Sequence, residues 1–182
     1  MHLHVSTAAR QILAATALTC AVALVPAAAL AAPGHQAGAA RTATPACATS
    51  GLDVWLNTNG TGATGHVIYQ LNFTNLSGST CTLFGYPGVS GATLTGTQIG
   101  SAASRNGMTP HTVTLANGAS TYALVNILNT DFLPASQCKP VTAAGLRVYP
   151  PNQTKSRTVP FPFHACSKSG RFYLAIAPVG FR

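Results

Sequence analysis

The chain has 182 residues, 47% of them apolar and only 7% charged. Ten Lys and Arg face two acidic residues, Asp53 and Asp131, for a formal net charge of +8 with no Glu at all. A carboxylate pair of the glycosidase kind would have to be those two residues. The basic excess favours anionic surfaces and polymers, although a neutral Thr, Asn, Gly and Ser surface accounts equally for solubility. Arg105, Lys139, Arg147, Lys155, Arg157, Lys168, Arg171 and Arg182 are scattered along the sequence. Nucleic-acid readout needs a basic patch with aromatic or helical presentation, so no specific nucleic-acid binding is expected.

The chain opens with a weakly basic stretch ending at Arg10, an apolar run from Ile12 to Leu30, and the small-residue site Ala29-Leu30-Ala31. That order is a secretory signal, expected over 1–31 with cleavage after Ala31. Pro26 and the small-residue end argue against an uncleaved anchor. Cys20 is preceded by Ala17-Leu18-Thr19 and followed by more apolar sequence, which argues against lipidation. Residues 32–45 are rich in Ala, Gly and Thr with no apolar periodicity, and read as a flexible leader. The folded domain is then 46–182, long enough to bury a core. No later apolar run reaches spanning length, and the end at Phe181-Arg182 shows no wall-sorting motif.

Along the domain the apolar pattern has period two. Leu52, Val54 and Leu56 alternate with Asp53, Trp55 and Asn57, and Val67, Tyr69, Leu71 and Phe73 with Ile68, Gln70, Asn72 and Thr74. The Gly-rich stretch from Asn59 to Gly65 reads as the connection between them. Further strands are predicted at Thr80–Phe84, Ala92–Gln98, Thr112–Leu115, Ser120–Leu128, Gly145–Tyr149, Arg157–Phe161 and Arg171–Ala177 from β-branched and aromatic enrichment between turn residues. Thr130–Gln137 is compatible with a helical turn, with Asp131 as its cap. Asn117-Gly118 marks a hairpin. Gly85-Tyr86-Pro87-Gly88 and Tyr149-Pro150-Pro151-Asn152 cannot continue a central strand, and the alternation of Pro160 and Pro162 with Phe161 and Phe163 suits a sheet edge. Eight or nine short, mainly antiparallel strands imply an all-β sandwich or barrel.

Beyond the signal four cysteines remain, Cys47, Cys81, Cys138 and Cys166. An even number in an exported chain, with no C-x-x-C spacing, points to two disulfides rather than zinc or a redox dithiol. Of three connectivities, Cys47–Cys81 with Cys138–Cys166 is favoured because each ties neighbouring segments. On the chain-entropy view a loop of about thirty residues contributes roughly 3–4 kcal/mol.

The run from Asn75 to Val89, with Asn75-Leu76-Ser77-Gly78, Thr80-Cys81-Thr82-Leu83 and Gly85-Tyr86-Pro87-Gly88, resembles the DUF4232 family of secreted actinobacterial domains. Cys47 with the strand after it, Val113–Ala123, and Cys138 followed by Leu146–Pro151 and Cys166 are similar to the rest of that family. The resemblance implies an immunoglobulin-like β-sandwich and export from an actinobacterium, and it implies no activity. Trp55 follows Cys47 too soon to be the buried strand-C tryptophan of antibody domains. Physically, Cys81 should point inward between outward threonines, and Tyr86 should lie over the core rim with its hydroxyl free for backbone.

No catalytic constellation stands out. His66, His111 and His164 are the histidines of the folded part, no G-x-S-x-G elbow is present, and paired cysteines supply no nucleophile. Catalytic and cofactor-binding residues are therefore expected to be none. Met108-Thr109-Pro110-His111 is the one local metal candidate, of a softness suited to copper. Asn59, Asn72, Asn75 and Asn152 head glycosylation sequons, in a host not expected to use them. The reading is a non-catalytic binding or adhesion module at a bacterial cell envelope, secreted or wall-associated. Its partners would be an anionic wall polymer or an envelope protein. The alternatives are a small extracytoplasmic enzyme with a histidine-containing site and a copper-binding protein. An approach of any of the three histidines and two aspartates within a concave pocket would keep the enzyme alternative open.

Overall fold

A computed structural model describes residues 43–180. The expected signal at 1–31 and most of the leader lie outside the described residues. Pro45, at the leader's end, accepts a backbone hydrogen bond from Thr82 at 2.9 Å.

The period-two segments form strands as expected, with longer reach. β1 (Leu52–Ala63) turns at Thr64-Gly65 into β2 (His66–Asn75), so most of the Gly-rich connection is strand. Its glycines do have a use. The β1–β2 register shifts between Asn57 and Thr61, and a Cβ on Gly60 would stand 2.5 Å from Val67 Cγ1 and 2.6 Å from Tyr69 Cε1. A bulge there needs a residue without a side chain.

β3 (Cys81–Phe84) stops at Gly85-Tyr86-Pro87, as those residues require, and β4 begins at once (Gly88–Ala92). The strand expected over Ala92–Gln98 is instead a tight turn, closed by Thr93 N–H to the Thr97 carbonyl at 2.9 Å, that leads into β5 (Gln98–Ile99). Short β6 (Ser104–Arg105) carries no sequence signal. β7 (Thr112–Leu115) and β8 (Ser120–Leu128) have the expected limits. Two short helical pieces, a 3-10 turn at Thr130–Phe132 and α1 (Ala135–Cys138), fill the region expected to hold one turn. β9 (Pro140–Tyr149) and β10 (Arg157–Cys166) are longer than expected, and β11 (Leu174–Ile176) is shorter.

These eleven strands form three sheets among the described residues, in the orders β1-β2-β8-β11-β6, β10-β9-β4-β5 and β3-β7. β11 and β6 pair in parallel, and the other ladders are antiparallel. The Asn117-Gly118 turn is real, with Gly118 at φ 82°, but it does not make a hairpin. β7 pairs with β3 while β8 lies between β2 and β11, so the chain changes sheets there. β10 is an edge strand, as its prolines demand, and its register shifts between Pro160 and Phe163.

All three sheets contribute to one core, including Leu71 and Phe73 of β2, Leu83 of β3, Val89 of β4, Val125 of β8, Leu146 of β9 and Ile176 of β11. Cys47–Cys81 ties the domain's start to β3, and Cys138–Cys166 joins α1 to the end of β10. This is the pairing favoured from spacing. Tyr86 lies half-buried against the core and donates its hydroxyl proton to the Met108 carbonyl. Asn75, in a sequon by sequence, is fully buried. Its amide donates to the carbonyls of Ser79 and Leu115 at 2.7 and 2.9 Å, and its oxygen accepts from Ser77 N–H and Oγ at 3.0 and 2.7 Å.

Candidate functional site

A cavity of about 220 Å³ opens between β2, β8 and β10. Alternation along β10 makes it: Pro160 and Pro162 face solvent, while Phe161 and Phe163 line the cavity, Phe161 against Tyr69 of β2. Tyr69 and Phe161 meet edge to face at 4.9 Å between ring centroids, and Phe161 and Phe163 are stacked at 6.0 Å. Such pairs gain about 0.5–1.5 kcal/mol beyond area burial. Val67 and Ile127 complete the apolar wall.

The polar side comes from the segment after β8. The Asn129 side chain accepts the Asp131 N–H at 3.0 Å and so starts the 3-10 turn. Asn129 is thus the cap expected of Asp131, which frees the Asp131 carboxylate. That carboxylate lies 3.5 Å from His164 Nδ1, with the two side chains 67% and 64% exposed. An ion pair this open contributes at most about 1 kcal/mol. Its interest is position: His164 lines the cavity beside Thr130, a fully buried residue whose hydroxyl has no hydrogen-bond partner among the described residues. A buried hydroxyl without a partner costs on the order of 1–3 kcal/mol.

The other sequence candidates lie apart from this pair. His66 lines a shallow depression with Phe172 and Leu128. His111 lines a groove between β7 and β8, near Gly180, where an added Cβ would be 2.8 Å from its Nε2. Asp53 lines a cleft with Arg157. Met108 meets Tyr86 through its carbonyl. Among the described residues no three His, Cys, Asp or Glu side chains gather to hold a metal. The aromatic wall was not foreseen as a site, although the Pro-Phe alternation that builds it is plain in the sequence.

The DUF4232 family, described as a domain of unknown function, matches residues 47–176. The chain belongs to the DUF4232 family. Its boundaries enclose both disulfides and all eleven strands found among the described residues. No curated protein matches the chain, and no solved structure matches it. Among the described residues of this DUF4232 domain, no helix is long and apolar enough to cross a membrane.

Proposed function

We propose that this DUF4232 protein is an exported, non-catalytic binding module of a bacterial cell envelope. In this reading its sheets form an immunoglobulin-like sandwich and its ligand is an anionic wall polymer or another envelope protein. One observation carries the proposal, the unbalanced charge. Asp131 faces His164, and among the described residues no Lys or Arg stands within ion-pair distance of a carboxylate. Arg147, Arg157 and Lys168 donate to backbone carbonyls, which fixes the cations without neutralising them. A surface of unpaired cations in an acid-poor protein attracts polyanions, and does so less as salt rises. The test is retention of the oxidised domain on isolated host cell walls at low and physiological salt. Salt-sensitive retention above that of a neutral β-sandwich control supports the proposal, and retention equal to the control removes it.

The His164–Asp131 pair favours a second reading, a small extracytoplasmic enzyme. Asp131 would orient the His164 imidazole as a general base at the cavity mouth. Turnover of an ester, glycoside or peptide substrate panel that is lost in His164→Ala would support it, and no turnover across the panel would count against it.

A further inference from the structure

The outward face of the five-stranded sheet carries an ordered set of polar and aromatic side chains. Directly opposed residues of antiparallel strands share a face, so register alone defines its rows. Trp55 of β1 is opposite Asn72 of β2, which is opposite Tyr122 of β8. The row on one side is Asp53, Thr74 and Ser120, and the row on the other is Asn57, Gln70 and Leu124. Two aromatic residues thus stand two strand spacings apart, about 10 Å, with amides and hydroxyls around them.

Trp55 is the only tryptophan of the chain and is 43% exposed. Its indole N–H donates to Thr74 Oγ1 at 3.3 Å, and that hydroxyl bonds Ser120 Oγ at 2.8 Å. The ring is held by its polar edge, so its orientation is fixed in advance of any ligand. Asn72 between the two aromatics is only 8% exposed, although its neighbours on this face are strand residues in the same sheet. Its amide donates to the Gln70 carbonyl at 3.1 Å.

The chemistry of the face restricts its occupant. In a chain of net charge +8, these three rows hold one carboxylate, Asp53, and no cation, which disfavours a polyanion as their occupant. An apolar protein surface would leave the side-chain amide groups of Asn57 and Gln70 short of partners, at a cost. A neutral sugar chain meets both demands. Its C–H faces lie on aromatic rings, and its hydroxyls both donate to and accept from amides, which have the matching groups. We infer that the Trp55–Asn72–Tyr122 row is the platform of a binding site for a neutral polysaccharide, with Asn57, Gln70 and Thr74 as its hydrogen-bonding border. This goes beyond the charge-driven proposal and uses a different surface.

The single tryptophan makes the test direct. The oxidised domain is titrated with soluble neutral β-glucan, xylan and mannan while Trp55 fluorescence is followed, and is also mixed with insoluble cellulose and chitin. The expected result is a saturable fluorescence change or retention on at least one glycan, unchanged between low and physiological salt. Trp55→Ala and Tyr122→Ala should each weaken retention about tenfold or more, and the exposed Trp55→Ala variant should keep the parental melting temperature. No binding to any glycan of the panel, or binding that survives Trp55→Ala undiminished, would overturn the inference. Salt-sensitive wall retention is measured on the same variants. If it persists in Trp55→Ala while glycan binding is absent, the glycan site fails and the electrostatic proposal stands.

Discussion

The Tyr173 hydroxyl rests directly on Gly91: a Cβ added to Gly91 would lie 2.5 Å from that oxygen. The hydroxyl donates to the Ile99 carbonyl at 2.9 Å. The close approach lets the segment before β11 reach across to β4 and bury a whole tyrosine with its polar end satisfied. Gly91→Ala forces either the sheet or the tyrosine to move, and the ring is too well held to swing aside. The expected cost is about 2–3 kcal/mol, from overpacking together with a weakened hydrogen bond. Denaturant unfolding checks it. In a Tyr173→Phe background the Gly91→Ala cost should shrink, because the opposing oxygen is gone.

Tyr173 also sets a limit at alkaline pH. Burial pushes its phenol up to about 12 from an ordinary 10, opposed by a backbone hydrogen bond from Gly91. The folded state therefore holds this proton where the unfolded state releases it. The stabilisation is fully present below pH 10 and is lost as pH rises from 10 toward 12. At most about 2–3 kcal/mol is at stake. Stability measured from pH 8 to 12 should fall over that upper interval, and the fall should be smaller in Tyr173→Phe.

Asn75 is a second buried polar residue on which the fold depends. It satisfies two carbonyls with its amide hydrogens and accepts two bonds with its oxygen. Asn75→Ala should cost about 3–5 kcal/mol, since it leaves buried groups unpaired. Asn75→Asp is expected to destabilise as well: a carboxylate cannot donate to the Ser79 and Leu115 carbonyls. Thermal unfolding of both variants checks this, and a neutral Asn75→Asp would contradict the role assigned to the amide nitrogen.

The two disulfides close loops of similar size, 34 and 28 residues. If loop closure in the unfolded chain is their main effect, removing either pair by Cys→Ser double substitution should cost a similar 2–5 kcal/mol, to order of magnitude. Denaturation midpoints of the two variants decide it. A large difference would show that one bridge acts through native contacts instead.

Strands with alternating residues were legible from the sequence, as were the disulfide pairing and the edge character of the Pro160–Phe163 run. Each of these rests on a local rule. What the sequence does not disclose is non-local. Asn59–Gly65 looked like a loop because glycine is a poor strand former, but pairing with β2 and a bulge hold most of it in β1. Asn117-Gly118 looked like a hairpin because turn chemistry says nothing of which partners the flanking strands choose. β6, only Ser104–Arg105, exists through its pairing with β11. The cavity was hidden for the same reason. Tyr69, Thr130, Asp131 and His164 come from three separate segments, and only folding brings Asp131 to His164.

The most direct test of the binding proposal removes exposed charge. Arg105, Lys155 and Lys168 are exposed, and a triple substitution to Gln lowers the net charge by three. Retention on isolated host cell walls is measured for parent and variant across a salt series. The parent should be strongly retained at low salt and less so as salt screens the charges, and the variant should show lower retention and a shallower salt dependence. Equal retention of the two proteins at every salt concentration would contradict it.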